Sequence, residues 1–277
     1  MGEVRVLALP NHIRAASIRA ANLLRLINNY DALFLNYPRD MEDGVRALAE
    51  GAPYEQFVSW LRERGSVQEP LGSWEYCARP LLEALRGILL RRPDLSIYCY
   101  RDLSLHRLSM ELAVKTALLT LRACLTGRVQ LDEWEGLLTS FLESSRNALG
   151  REIRLIQSRL EEHRRAICIS DLSGRYIADQ LRMRGHRVHL TYPYLPYHFT
   201  PLEILMNELY RAWVRGSRLP KGRVRELLRH HLQFVRDYVV PSNSYDEAYQ
   251  RWVAENAPWI LRPFKEGNSK PARPTSP

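Results

Sequence analysis

The chain has 277 residues, 45% of them apolar, and a formal net charge of +9, which is enough length and apolar content to bury a sizeable core in one domain with an appendage. Its four cysteines, Cys77, Cys99, Cys124 and Cys168, show no CxxC spacing and sit mostly in apolar runs, which argues against a disulfide or zinc framework and for a reducing compartment. No basic segment leads into an apolar stretch at the start, and Lys115 and Arg122 interrupt the most apolar long segment, Met110 to Leu125, so a cytoplasmic protein without membrane spans is expected.

Val4 to Leu9 is a short β-branched apolar run broken by Pro10, as a buried strand requires. Ala20, Leu23, Leu24 and Ile27 then recur at i, i+3, i+4 and i+7, which predicts an amphipathic helix over Arg14 to Asn28. A second apolar run, Ala32 to Leu35, completes a βαβ unit and with it a parallel pair of strands. Glu42 to Arg64 reads as helix, as does Pro80 to Leu90, with GSWEYCARP, Gly72 to Pro80, a loop or helix entry between them. Leu95 to Tyr100 reads as the third strand.

The middle of the chain is helical in pattern. Met110, Val114, Ala117, Leu118, Leu121 and Leu125 form one stripe ended by Gly127; Trp134 to Phe141 forms a second, and Ile153, Ile156 and Leu160 a third. Ala166 to Ser170 and Val188 to Thr191 are the fourth and fifth strands, with a turn and helix between them. Leu202 to Trp213, Val224 to Val235 and Tyr245 to Ile260 then suggest three more helices. The expectation is an α/β fold: a mostly parallel sheet of about five strands in residues 1–200, with a large helical insertion at about 104–163. A basic helical C-terminal extension follows over 201–264, then a proline-rich disordered tail over 265–277.

In parallel α/β sheets ligands sit beyond the carboxyl ends of the strands. The polar residues there are Asn11 and His12, Asn36 and Tyr37, Arg101 and Asp102, Ser170 and Asp171, and Tyr192 and Tyr194. An imidazole, carboxylates and an arginine on one rim have the chemistry to hold a divalent metal or move protons. The same residue types also serve as helix caps and tight turns, and a lone His12 is a weak signal. Phosphate-loop, GxSxG, HExxH and dinucleotide fingerprints are absent from the sequence. His230 and His231, adjacent on a helix, point different ways and make no metal pair.

Of the 40 basic residues 36 are arginine, and Arg211 to Val240 holds eight basic residues against Glu226 and Asp237. Arg211, Arg215, Arg218, Lys221, Arg223 and Arg225 lie in this segment. It forms a local field for nucleic acid or an acidic partner, or simply an arginine-rich solvated helix face.

VRVLALPNHIRAASIRAANLLRLINNYDALFLNYPRD, Val4 to Asp40, resembles the opening unit of the TraB, ChaN and erythromycin-esterase-like superfamily. His12, Ser17, Ile27, Asp31, Phe34 and Arg39 fall close to that signature's spacing. REIRLIQSRLEEHRRAICISDLSGRYIADQLRMRGHRV, Arg151 to Val188, is similar to its closing unit. The resemblance implies the α/β fold and metal-dependent or histidine-dependent hydrolysis. It also carries two departures: Asn36 stands where that family has a glutamate, and Leu172 where it has a second histidine. An amide is neither base nor charged ligand, and leucine ligates nothing. The functional expectation is therefore a divergent, catalytically impaired member whose pocket binds a small ligand or a protein partner. Its pocket candidates are Asn11, Ser17, Asn36, Tyr37, Arg101, Ser170, Asp171 and Arg175. The alternative is an active hydrolase using His12 with Glu75 or Asp102, and a further alternative is nucleic-acid association through the basic segment.

Overall fold

The computed structural model describes residues 2–10, 13–65, 72–171, 173–194 and 196–260, with the backbone alone at 13, 15, 16, 19, 72, 73 and 257–260. Five strands, β1 (Glu3–Ala8), β2 (Ala32–Pro38), β3 (Ser96–Arg101), β4 (Arg165–Ser170) and β5 (Arg187–Thr191), form one sheet of order β3-β2-β4-β1-β5. Every pairing is parallel. The expected α/β fold with a helical C-terminal region is present.

Alternation along the strands divides the side chains between two cores. Leu7, Leu33, Leu35, Ile97, Ile167 and Ile169 face α1 (Ile13–Leu26), α2 (Glu42–Glu50), α3 (Tyr54–Arg64) and α4 (Gly72–Arg91). Val4, Val6, Phe34, Tyr98, Tyr100 and Cys168 face α6 (Leu131–Leu160) and α7 (Gly174–Met183). Helices that move the chain toward β3 thus lie on one face, and those that move it back toward β5 lie on the other. Burial on both faces explains why β2, β3 and β4 read as nearly unbroken apolar runs, whereas the edge strand β5 alternates, with Arg187, His189 and Thr191 exposed.

Close approach fixes the start of α7. A Cβ on Gly174 would stand 2.7 Å from the Cβ of Ala8 and 3.3 Å from Cγ1 of Val6, so only glycine lets this helix begin against β1 and β4. The turn before it is held by Asp171, whose Oδ1 accepts from the Ser173 N–H at 2.8 Å.

Several elements differ from expectation. The Glu42 to Arg64 helix is two, because Gly51, at φ 115°, closes α2 and Pro53 precedes α3. Helix α4 begins at Gly72 and carries Pro80 in its interior, so GSWEYCARP is helical. Strand β2 runs on to Pro38 through an irregular register after Leu35, which puts Asn36 and Tyr37 inside the strand and not beyond it. The second and third middle stripes are one 30-residue helix, α6.

The stripe on α5 (Leu103–Thr126) is turned the other way from what its pattern implies. Val114, Leu118, Leu121 and Leu125 are more than half exposed, whereas Thr116, Thr120 and Ala123 are buried. The threonines can face inward because each hydroxyl donates to a carbonyl one turn back, at 2.8 Å and 2.7 Å, leaving a methyl to pack.

Beyond the sheet, α8 (Pro201–Val214) and α9 (Lys221–Phe234) pack with the first half of α6 around Trp134, Leu138, Leu205 and Leu227. A π turn, Val235–Val239, leads to α10 (Tyr245–Ile260), which packs through Tyr249 and Trp252 on Phe234 and Tyr238. The tail expected over 265–277 lies outside the described residues. No described helix is long and apolar enough to cross a membrane.

Candidate functional site

Arg101 is the last residue of β3, and its side chain is only 14% exposed. A guanidinium so placed needs partners, because its charge has lost most of its water. It has two: Asp171 at the end of β4, at 2.6 Å, and Glu152 on α6, at 3.8 Å. Burial pushes the Asp171 carboxyl up, but the Arg101 cation and the Ser173 donors outweigh it, and the net position is below the usual carboxylate range. Asp171 is therefore ionised at neutral pH.

Glu152 is in a different state. Its side chain is fully buried; Oε1 accepts from the Asp102 N–H at 3.0 Å, and Oε2 has no hydrogen-bond partner among the described residues. Burial pushes its carboxyl up to about 7, and only part of that is offset by Arg101. The neighbouring Asp102 caps α5. It accepts from the Ser104 and Leu105 N–H groups and from Arg151 Nε at 2.7 Å, and the Arg151 bond above all holds it far below the usual range.

Beside this cluster opens a cleft of about 1500 Å³. Arg101 and Asp171 line it at the strand tips, Ser173 and Arg175 at the start of α7, Leu149 and Arg146 on α6, and Tyr210 and Trp213 on α8. The chain winds one way after β1 and β2 and the other way after β3 and β4, so this mouth lies where parallel α/β sheets leave a crevice.

The predicted site residues are scattered around it. Asn11, His12 and Leu172 lie outside the described residues. Ser17 is exposed on α1. Asn36 keeps a buried Oδ1 without a hydrogen-bond partner among the described residues. Tyr37 is a core residue: it is buried, donates to the Ala78 carbonyl at 3.3 Å and packs edge-on to Trp74, because β2 continues past the point where the sequence suggested a turn. Glu75 sits at the start of α4, 3.8 Å from Arg79, on the face of the sheet opposite α6. Ser170 is fully buried, its Oγ 3.4 Å from that of Ser173.

Arg101, Asp171 and Arg175 are brought together on the cleft. Because every pairing is parallel, the strand tips do share one edge of the sheet, along which the ends of β1 and β3 stand three spacings apart, about 14 Å. Among the described residues no group of three or more His, Cys, Asp or Glu side chains could hold a metal ion. Cys124 is exposed, against the expectation for a thiol in an apolar run, while Cys99 and Cys168 are buried.

The basic segment is partly neutralised. Lys221 pairs with Asp132 at 2.8 Å, and Arg223 pairs with Glu208 at 2.7 Å and Glu226 at 3.0 Å. Sequence reasoning missed Glu152, Arg146 and Trp213. Glu152 did leave a signal, a carboxylate three residues after Leu149 and four before Ile156, on the apolar face of its helix.

No protein-family model, curated protein or solved structure matches the chain.

Proposed function

We propose that this protein is a binding protein that takes its ligand in the cleft beside the ends of β3 and β4, and that it does not turn that ligand over. The fold expected from the TraB, ChaN and erythromycin-esterase-like resemblance is kept in this reading, and the hydrolytic activity is not. The observation that carries it is the Arg101–Asp171 ion pair at the strand tips: the carboxylate that lines the cleft there is already neutralised. Asp102 is held ionised by Arg151 and is a poor base at neutral pH, and Glu152 is fully buried, its Oε1 turned to the Asp102 N–H and Arg101 and its Oε2 shut off from solvent. Asn36 is neutral at every ordinary pH.

The test combines turnover with mapping. Hydrolysis of p-nitrophenyl acetate should not exceed the buffer rate, and His12→Ala should leave that rate and the metal content unchanged. Titration of a small-fragment mixture should move the amide resonances of Ser173, Tyr176 and Tyr210. Turnover that disappears in His12→Ala would replace this reading by the hydrolase one, and fragments that bind only away from the cleft would end it.

A further inference from the structure

The charges that line the cleft are not equally free. Asp171 is paired with Arg101 at 2.6 Å, and Asp179 with Arg182 at 2.8 Å. Glu203 accepts from Tyr197 at 2.7 Å and from the Thr200 N–H at 2.8 Å in the capping box that starts α8. Each acid on the wall therefore already has a donor. The bases differ. Arg175, in the first turn of α7, and Arg146, on α6, have no carboxylate within ion-pair distance among the described residues, and Arg146 stacks 5.7 Å over the Trp213 ring. The unspent charge on the walls is positive.

The rest of the lining is mixed: polar side chains such as Ser109, Ser145, Gln180 and Asn207 stand beside a larger apolar surface. Leu105, Phe141, Leu142, Leu149, Leu202 and Met206 supply side chains with no polar atom to offer. A bare phosphate would leave these walls facing water, and a neutral hydrocarbon would leave two guanidinium groups unused. The volume of about 1500 Å³ is also above the roughly 300–1,000 Å³ that encloses a drug-sized molecule. The first turn of α7 carries no acidic residue, and the Asp171 carboxylate just before it is paired with Arg101.

Resting on the binding function above, we propose that the ligand is an amphipathic oxyanion: a phosphate or carboxylate head on a long aliphatic body, the head met by Arg175 and Arg146 and the body laid along the leucine, phenylalanine and methionine walls. Guanidinium groups suit either head, since both present paired oxygens to a planar donor fork.

Dodecyl phosphate, dodecanoate, decanol, dodecyltrimethylammonium and inorganic phosphate, each below its micelle concentration, are titrated by calorimetry. Amide shifts then locate whatever binds. The two anions should bind one per chain and move Tyr176 and Tyr210, with the ammonium and inorganic phosphate silent and decanol at least tenfold weaker. Arg175→Ala and Arg146→Ala should each weaken anion binding by about tenfold or more, as loss of a charge-assisted hydrogen bond does. Arg25→Ala, at an exposed position on α1, should not. A preference for the phosphate or the carboxylate names the head. Equal binding of decanol and the anions in the cleft, or failure of every probe to perturb it, overturns this inference and leaves the binding reading standing; that reading falls only if the fragment titration also finds nothing in the cleft.

Discussion

At Glu152 a carboxyl group is kept where water is excluded, with one oxygen bonded and the other alone. Its position of about 7 lies above the ordinary 4.5, so between those values the folded chain holds a proton that the unfolded chain releases. Stability from this group is complete below pH 4.5 and is lost as pH rises through 7. Glu152→Gln keeps the shape without the charge, so its stability relative to the parent should increase between pH 4.5 and 8. The gain should be on the order of 3 kcal/mol, read from urea midpoints at each pH. A pH-independent difference would mean that Glu152 stays ionised throughout. Residues of this kind are hard to find in a sequence. The Arg101–Asp171 contact joins positions 70 apart, and neither residue type at a strand end is unusual, so the rim was legible as a set of positions while its pairings were not. Tyr37 shows the opposite failure, a polar-looking strand end that the fold buries.

The C-terminal helices carry a second titrating group, and it acts in the other direction. His231 on α9 is 8% exposed; its Nε2 lies 3.2 Å from Thr120 Oγ1 on α5, and its ring meets Trp134 of α6 edge-on. Burial pushes the imidazole down to about 4 from the ordinary 6.5. The unfolded chain therefore takes up the proton first, and stability falls as pH drops from 6.5 toward 4, by on the order of 3 kcal/mol. His231→Gln should remove that acid sensitivity in melting curves recorded from pH 7 to 4, and an unaltered acid slope would assign it to other groups. The same helix junction explains the misread stripe on α5. Periodicity shows that a helix has two faces, but which face is covered depends on what α6 and α9 present, and here small threonines and Ala123 fit beneath a histidine and a tryptophan where leucine would not. The inner strands were legible because both faces of the sheet are covered there and the apolar runs are continuous; only the strand ends moved, by one to three residues.

For the molecule as a whole, the strand order makes the two ends of the sheet sequence depend on each other. β1 bonds only to β4 and β5, and β4 is also the link between β1 and the β2–β3 pair. A chain ending at residue 164 retains three strands and the first six helices, yet its β1 would have no neighbour and the apolar residues of both cores would face solvent. It should show no cooperative thermal transition by circular dichroism and should aggregate, whereas a chain ending at residue 260 should melt like the parent. A cooperative melt in the shorter chain would show that the N-terminal part folds without β4. Because Glu3 must wait for Arg165, the ribosome adds 162 residues before the first strand meets its neighbour. At bacterial-like elongation rates that is roughly 8 to 32 s. During this interval VRVLAL is a naked hydrophobic segment on a nascent polypeptide, and the yield of native protein in the cell should depend on chaperone capacity more than on the stability of the finished fold.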